Sequence, residues 1–282
     1  DIAFATAFVT LFTGPFLVGY VQRLGGGDAA IGLLSAIPSL AGILQIPGAI
    51  RGRSYPSYKS YVAPPGIAWR LLQLPILALP FLPLPNETKL TILVAIVGLA
   101  AATIALVNPI YNEWLAELVP PTSRGFYFSR RNALAASVGS VVGIAGAWLL
   151  DASRDAKGEP TDPGFAAVFG LGLVCAAISQ FFFLRMKDLP REKPVKRSLR
   201  EGIADTVRPV ADPVFRRVLG FIAISVVSQL FAGNLYQAFG RESLGLNFRV
   251  LQGTAVAMAV GNVLAAPVWG FLSDRYGNRP TL

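Results

Sequence analysis

The stretch LTILVAIVGLAAATIALVNPIY, residues 90 to 111, contains no charged side chain. Seven further stretches read the same way: 2–21, 29–50, 61–84, 133–150, 164–184, 218–239 and 250–272, with Arg70 the one charge inside any of the eight. A bilayer core of about 30 Å is crossed by about 20 apolar helical residues. Hydrocarbon offers backbone N–H and C=O groups no partner, so a crossing segment must close its own bonds as a helix. A transmembrane barrel would instead alternate apolar and polar residues over about ten positions, and these stretches do not alternate. Charged residues make up 15% of the chain, against about 25% in a soluble domain, too few to cover a globule in water. The fold class that follows is an all-α polytopic membrane protein.

The charges lie between the runs, and unevenly. Of the 25 Lys and Arg, 18 fall in the even-numbered connections 51–60, 112–132, 185–217 and 273–282, six fall in the odd ones, and Arg70 completes the set. That bias predicts a cytoplasmic N-terminus and cytoplasmic even connections in a multi-pass protein of the cell inner (cytoplasmic) membrane. The net charge of +9 is therefore an orientation signal, and nucleic acid is not an expected partner. A single cysteine, Cys175, excludes an intramolecular disulfide, and there is no histidine. Without histidine there is no His-based proton relay or metal site. No nucleophile–base pair or Gly-rich phosphate loop stands out either, so no enzyme activity, cofactor or metal is expected.

Residues 187–217, KDLPREKPVKRSLREGIADTVRPVADPVFRR, are basic and hold four prolines. They read as a cytoplasmic linker with a short amphipathic helix around 197–208 on the anionic leaflet. Six runs precede it and two follow. The predicted organisation is a six-helix bundle over 1–187, a linker over 188–217, and the first two helices of a second bundle over 218–282. The final run exits into GFLSDRYGNR. This resembles the cytoplasmic signature Gly-x-Leu-Ala/Ser-Asp-Arg-x-Gly-Arg-Arg of the major facilitator superfamily. Gly270, Leu272, Ser273, Asp274, Arg275, Gly277 and Arg279 match, and Asn278 departs. The family carries the motif after its second and eighth spans, and here it follows the eighth run. After the second run, PGAIRGRSYPSYK keeps Gly48 and Arg53 at matching offsets but has Gly52 in the Asp position. After the fourth, AELVPPTSRGFYFSRRN resembles the family's fourth connection through Pro120, Arg124 and Gly125. The resemblance implies a carrier of small solutes working by alternating access, with the motif loop steadying one end state. It also implies that the chain is a fragment lacking about four C-terminal helices.

In that family spans one, four, seven and ten line the central cavity. The sequence places polar stripes on three of these. Thr6, Thr10 and Thr13 share a face of run one, which also contains the break-prone pair Gly14-Pro15. Asn108 and Asn112 share a face of run four; Ser225, Gln229 and Gln237 mark run seven; Asn262 lies in run eight. Thr10, Thr13, Asn108, Asn112, Gln229, Gln237 and Asn262 are the cavity candidates, with helix packing as the competing role. Gly270, Asp274, Arg275, Gly277 and Arg279 are the conformational motif. Asp274 is placed to meet the positive end of a helix or an arginine across the loop. For Arg70, the expected partner is Glu113 near the inner end of run four, as a structural ion pair, with snorkelling to the inner surface or contact with a substrate carboxylate as the alternatives. The expected partners of the protein are a small-molecule substrate, a coupling ion where transport is coupled, and the lipid bilayer. The sequence does not fix an oligomeric state; a monomer is the expectation. The competing readings of function are a scaffold or sensor that reuses the bundle and an exporter of hydrophobic compounds.

Overall fold

The structure is a computed structural model that describes residues 1–156, 158–190, 198–242 and 248–277, without side-chain detail at 229–242, 248–256, 258, 259, 262, 273 and 274. Six described segments are long and apolar enough to cross a membrane: Ile2–Arg23, Asp28–Gly52, Tyr58–Phe81, Asn86–Leu118, Pro121–Asp151 and Asp162–Leu184. The first is two helices, α1 (Ile2–Phe12) and α2 (Gly14–Arg23). The second is α3 (Asp28–Ala41) and α4 (Gln45–Gly52), joined by the 3-10 turn Gly42–Leu44. The third is α5 (Tyr58–Leu71) and α6 (Leu74–Ala78), ending in the 3-10 turn Leu79–Phe81. The fourth, fifth and sixth are built on α7 (Asn86–Leu118), α8 (Arg124–Asp151) and α9 (Asp162–Leu184). A short α10 (Leu199–Val207) follows, then α11 (Pro213–Glu242) and α12 (Phe248–Tyr276). At 1.5 Å per residue the last two span about 45 Å each, enough to cross. The chain is an all-α polytopic membrane protein, with six crossings followed by two long helices.

Two packing groups organise the first six crossings. α7 packs against α3, α4 and α5, and α1 packs against α8 and α9. Aromatic rings fill the second group: Phe12 lies 5.1 Å from Phe169, and Tyr20 lies 5.2 Å from Phe165, measured between centroids. Lipid tails are as apolar as leucine, so helices here associate through close packing rather than through escape from water. The contact of α4 with α7 and α5 is an example. A β-carbon on Gly48 would overlap the Leu106 carbonyl, and one on Gly52 would sit 2.7 Å from the Tyr61 ring. The Tyr61 hydroxyl sits in the same seam, donating to the Gly48 carbonyl oxygen at 2.9 Å, with the Leu106 carbonyl oxygen 3.2 Å away.

The exit of α9 is tied down by polar groups. Lys59 Nζ donates to the Leu184 carbonyl at 2.5 Å, one of the last carbonyls of the helix, and Trp114 Nε1 donates to the Lys187 carbonyl at 3.2 Å. α10 is started by a capping box, with Ser198 and Glu201 exchanging side-chain-to-backbone bonds. It lies on α4, where a β-carbon on Gly202 would meet Ile50 at 2.6 Å.

The α4–α7 seam has no room for a side chain at residue 48. Gly48→Leu is expected to destabilise the fold by about 1–3 kcal/mol and to lower the unfolding midpoint in detergent. Gly98→Ala, where a β-carbon meets nothing within 4 Å, should leave the midpoint unchanged to within a degree or two.

Candidate functional site

The first crossing breaks where the sequence predicts. Thr13 is extended, with φ −134° and ψ −177°, and Gly14 takes φ +58°, a conformation that costs a residue with a β-carbon about 1–2 kcal/mol. Pro15 then opens α2, where its missing N–H interrupts nothing. The Thr13 hydroxyl donates back to the Val9 carbonyl at 2.7 Å, covering one acceptor freed by the break. A cavity of about 370 Å³ lies against this break, bounded by Thr13, Gly14, Ser35 and Gln73 among apolar residues. Irregular backbone at membrane depth is tolerated where it is buried in protein or lines a cavity, and this break adjoins one.

A second, smaller pocket of about 160 Å³ lies between α1, α5, α7, α8 and α9. Arg70 stands in its wall, about 18 Å of helical rise from Tyr58. Nη1 donates to the Gly66 carbonyl oxygen at 3.0 Å, and Nη2 donates to Ser179 Oγ at 2.9 Å. The Ser179 hydroxyl, fully buried, donates in turn to Asp1 Oδ1 at 2.7 Å. Tyr111 Oη donates to Asp1 Oδ2 at 3.3 Å. Arginine and aspartate are thus joined through a serine rather than directly. The Arg70 guanidinium also lies 5.2 Å from the Trp69 ring centroid. Asn108 and Arg131 line the same pocket.

The expected Arg70–Glu113 pair does not form. Glu113 accepts from Tyr58 Oη at 3.0 Å and faces Arg53 Nε at 3.9 Å. The reason is depth. α7 runs on to Leu118, so Glu113 stands about 8 Å from its end, level with the start of α5 and not with Arg70. Asn108 and Asn112 are exposed and bonded to each other, Nδ2 of Asn112 to Oδ1 of Asn108 at 3.3 Å. Thr13 lines the larger cavity. Thr10 instead turns to α8, where β-carbons on Gly139 and Gly143 would meet it at 3.4 and 3.7 Å; its surroundings are a helix contact. The side chains of Gln229, Gln237, Asn262 and Asp274, and all of Arg279, lie outside the described residues.

Asp1, Tyr111, Ser179, Arg131 and Gln73 escape the sequence reading. Tyr111 carries a signal in retrospect: it follows Asn108 by three residues, on the same helical face. Gln73 likewise follows Arg70 by three within an apolar run. Arg131 is hidden among the charges that report orientation.

At the motif, Gly270 is buried against the start of α8. A β-carbon there would lie 2.8 Å from the Gly125 carbonyl oxygen and overlap the Ser129 hydroxyl. Gly277 closes α12 with φ +81°, and the Arg275 guanidinium lies 5.6 Å from the Tyr276 ring centroid. The fragment AELVPPTSRGF and the motif GFLSDRYGNR, distant in the chain, are therefore in contact.

A β-carbon at Gly14 is strained by its positive φ. Gly14→Ala is expected to cost about 1 kcal/mol and to lower the detergent unfolding midpoint by a few degrees. Gly32→Ala, with open space around it, should cause no such loss.

Residues 2–282 match the family model of the Major Facilitator Superfamily. No curated protein matches the chain.

Proposed function

The chain belongs to the Major Facilitator Superfamily, and from that premise we propose that it is a secondary active transporter moving a small solute across the cytoplasmic membrane by alternating access. The observation that carries the reading is the seating of Gly270 on Gly125. It joins the last turns of α12, beyond the linker, to the first turn of α8, before it. A glycine at this point lets α12 approach the Gly125 carbonyl and the Ser129 side chain closely, the kind of small-residue contact on which helices in lipid pack against one another.

Residue 274 follows Gly270 by one turn of α12, toward its C-terminal end. The leading N–H groups of a helix lack intrahelical acceptors, and the N-cap Ser123 gives α8 no side-chain bond. An aspartate near such an end gains about 0.3–1 kcal/mol from the helix dipole. A latch of that size holds one end state while leaving it reversible. Taken with the charge bias, this closed end faces the cytoplasm. The break in the first crossing and its adjoining cavity supply the irregular mid-membrane backbone that transporters of this architecture use at their sites. The protein works as a monomer, and the chemistry it performs is binding and release, with no bond made or broken.

Spin labels test the reading. In a Cys175→Ala background, labels at Tyr127→Cys and Tyr276→Cys span the α8–α12 contact, both positions being exposed. In proteoliposomes their distances should fall into two populations, the shorter matching the contact described here. Adding Gly270→Trp, which wedges the contact, should deplete the shorter one. A single distribution indifferent to Gly270→Trp would replace the transporter with a rigid scaffold.

A further inference from the structure

We propose that the smaller pocket binds the carboxylate of a small organic monoanion, held by Arg70 and Arg131. The argument starts from charge. Two guanidinium groups and one carboxylate, Asp1, line the pocket. Neither Arg70 nor Arg131 makes a direct ion pair with a described residue. Asp1 reaches Arg70 only through the Ser179 hydroxyl. The described side chains of the pocket therefore carry one positive charge more than negative, and Arg70, the charge inside an apolar run, is of the kind that marks a functional site.

Hydrogen bonding points the same way. A guanidinium has five N–H donors in a planar fork that suits a carboxylate. Arg70 uses one on Gly66 and one on Ser179, and its buried Nε meets no described partner. The acceptors present are a carbonyl and a hydroxyl, each taking one donor, and the planar fork is shaped for a bidentate carboxylate. Ser179 and Tyr111 meanwhile both donate to Asp1. The internal carboxylate is held back by these bonds, and its distance from the guanidinium keeps the cation available.

Volume and walls set the class of anion. A pocket of about 160 Å³ is on the scale of a short-chain acid. Trp69, Val107 and Phe183 give the pocket apolar walls against which an alkyl or small aryl body packs. Asn108 lines it as well, and through its bond to Asn112 it continues onto the exposed face of α7. That face offers a polar route to the pocket. As the transported solute, this ligand rests on the transporter reading above; as a bound ligand it does not.

The test is equilibrium binding to the purified protein in neutral detergent, followed by unfolding midpoint and by tryptophan fluorescence. The probes are linear monocarboxylates from acetate to octanoate, and benzoate. Their primary amides serve as neutral isosteres, and phosphatidylglycerol serves as the lipid anion. At least one carboxylate should raise the midpoint in a saturable way while its amide does not. Arg70→Gln and Arg131→Gln should each weaken that binding about ten- to a hundredfold, as loss of a charged hydrogen bond does. Arg70→Lys keeps the charge without the fork, and should bind more tightly than Arg70→Gln and less tightly than the unaltered protein. No response to any carboxylate, equal response to the amides, or binding unchanged in Arg131→Gln, should Arg70→Gln not fold, overturns the proposal. Stabilisation by phosphatidylglycerol alone, lost in the same variants, would assign the site to lipid and overturn it too. Carboxylate binding with a single α8–α12 distance would keep the site and remove the transporter. Two distances without carboxylate binding would do the reverse.

Discussion

Nothing in the middle of a bilayer hydrogen-bonds to a peptide group, and the rest of this structure follows from that. Each crossing is helical because a helix alone satisfies its own backbone. Where the helix stops, at Thr13 and Gly14, the structure has to compensate locally. The Thr13 hydroxyl returns to the Val9 carbonyl, proline opens the next helix, and a cavity adjoins the break. The same rule governs Arg70. Its guanidinium is turned along its own helix to the Gly66 carbonyl and across to Ser179, since lipid offers it no acceptor.

The second constraint is that burying apolar surface gives helices in lipid no driving force toward one another. Close approach takes its place. Gly48 admits the Leu106 carbonyl, Gly172 admits the Phe12 ring, and Gly270 admits the first turn of α8. The first two contacts build the six-helix core. The third uses the same device between α8 and α12, on either side of the basic linker. At Gly270 the approach is tight, against the Gly125 carbonyl and the Ser129 side chain.

Polar groups of the smaller pocket arrive from α5, α7, α8 and the N-cap of α1, with Ser179 of α9 bonded behind them, and this is where linear reading reached its limit. Arg70 was legible as an anomaly, because a charge inside an apolar run is visible by itself. Its surroundings were not. Glu113 is an acid near the end of an antiparallel run, but α7 extends beyond its apolar stretch to Leu118, and that extension shifts Glu113 to the level of Tyr58 and Arg53. Ser179 carries no mark that separates it from a serine bonding its own helix. Asp1 and Ser179 stand 178 positions apart, and their meeting depends on how α1 and α9 are rotated against each other.

The sequence by itself determined the local features. Run length and the absence of charge set the crossings, Gly14-Pro15 set the break, Ser198 and Glu201 set the cap of α10, and GFLSDRYGNR carried the family resemblance. Each of these is written within a few residues, because helix closure, capping and turn conformation are local physics. The tertiary structure alone decided which faces meet. It turned Thr10 against the glycines of α8 while leaving Thr13 at the cavity, though both lie on one stripe of the same crossing. It placed Asn108 and Arg70 in the wall of one pocket and left Glu113 facing Arg53. Rotation and depth of a helix depend on the packing of all its neighbours at once, and no single stretch of sequence encodes that.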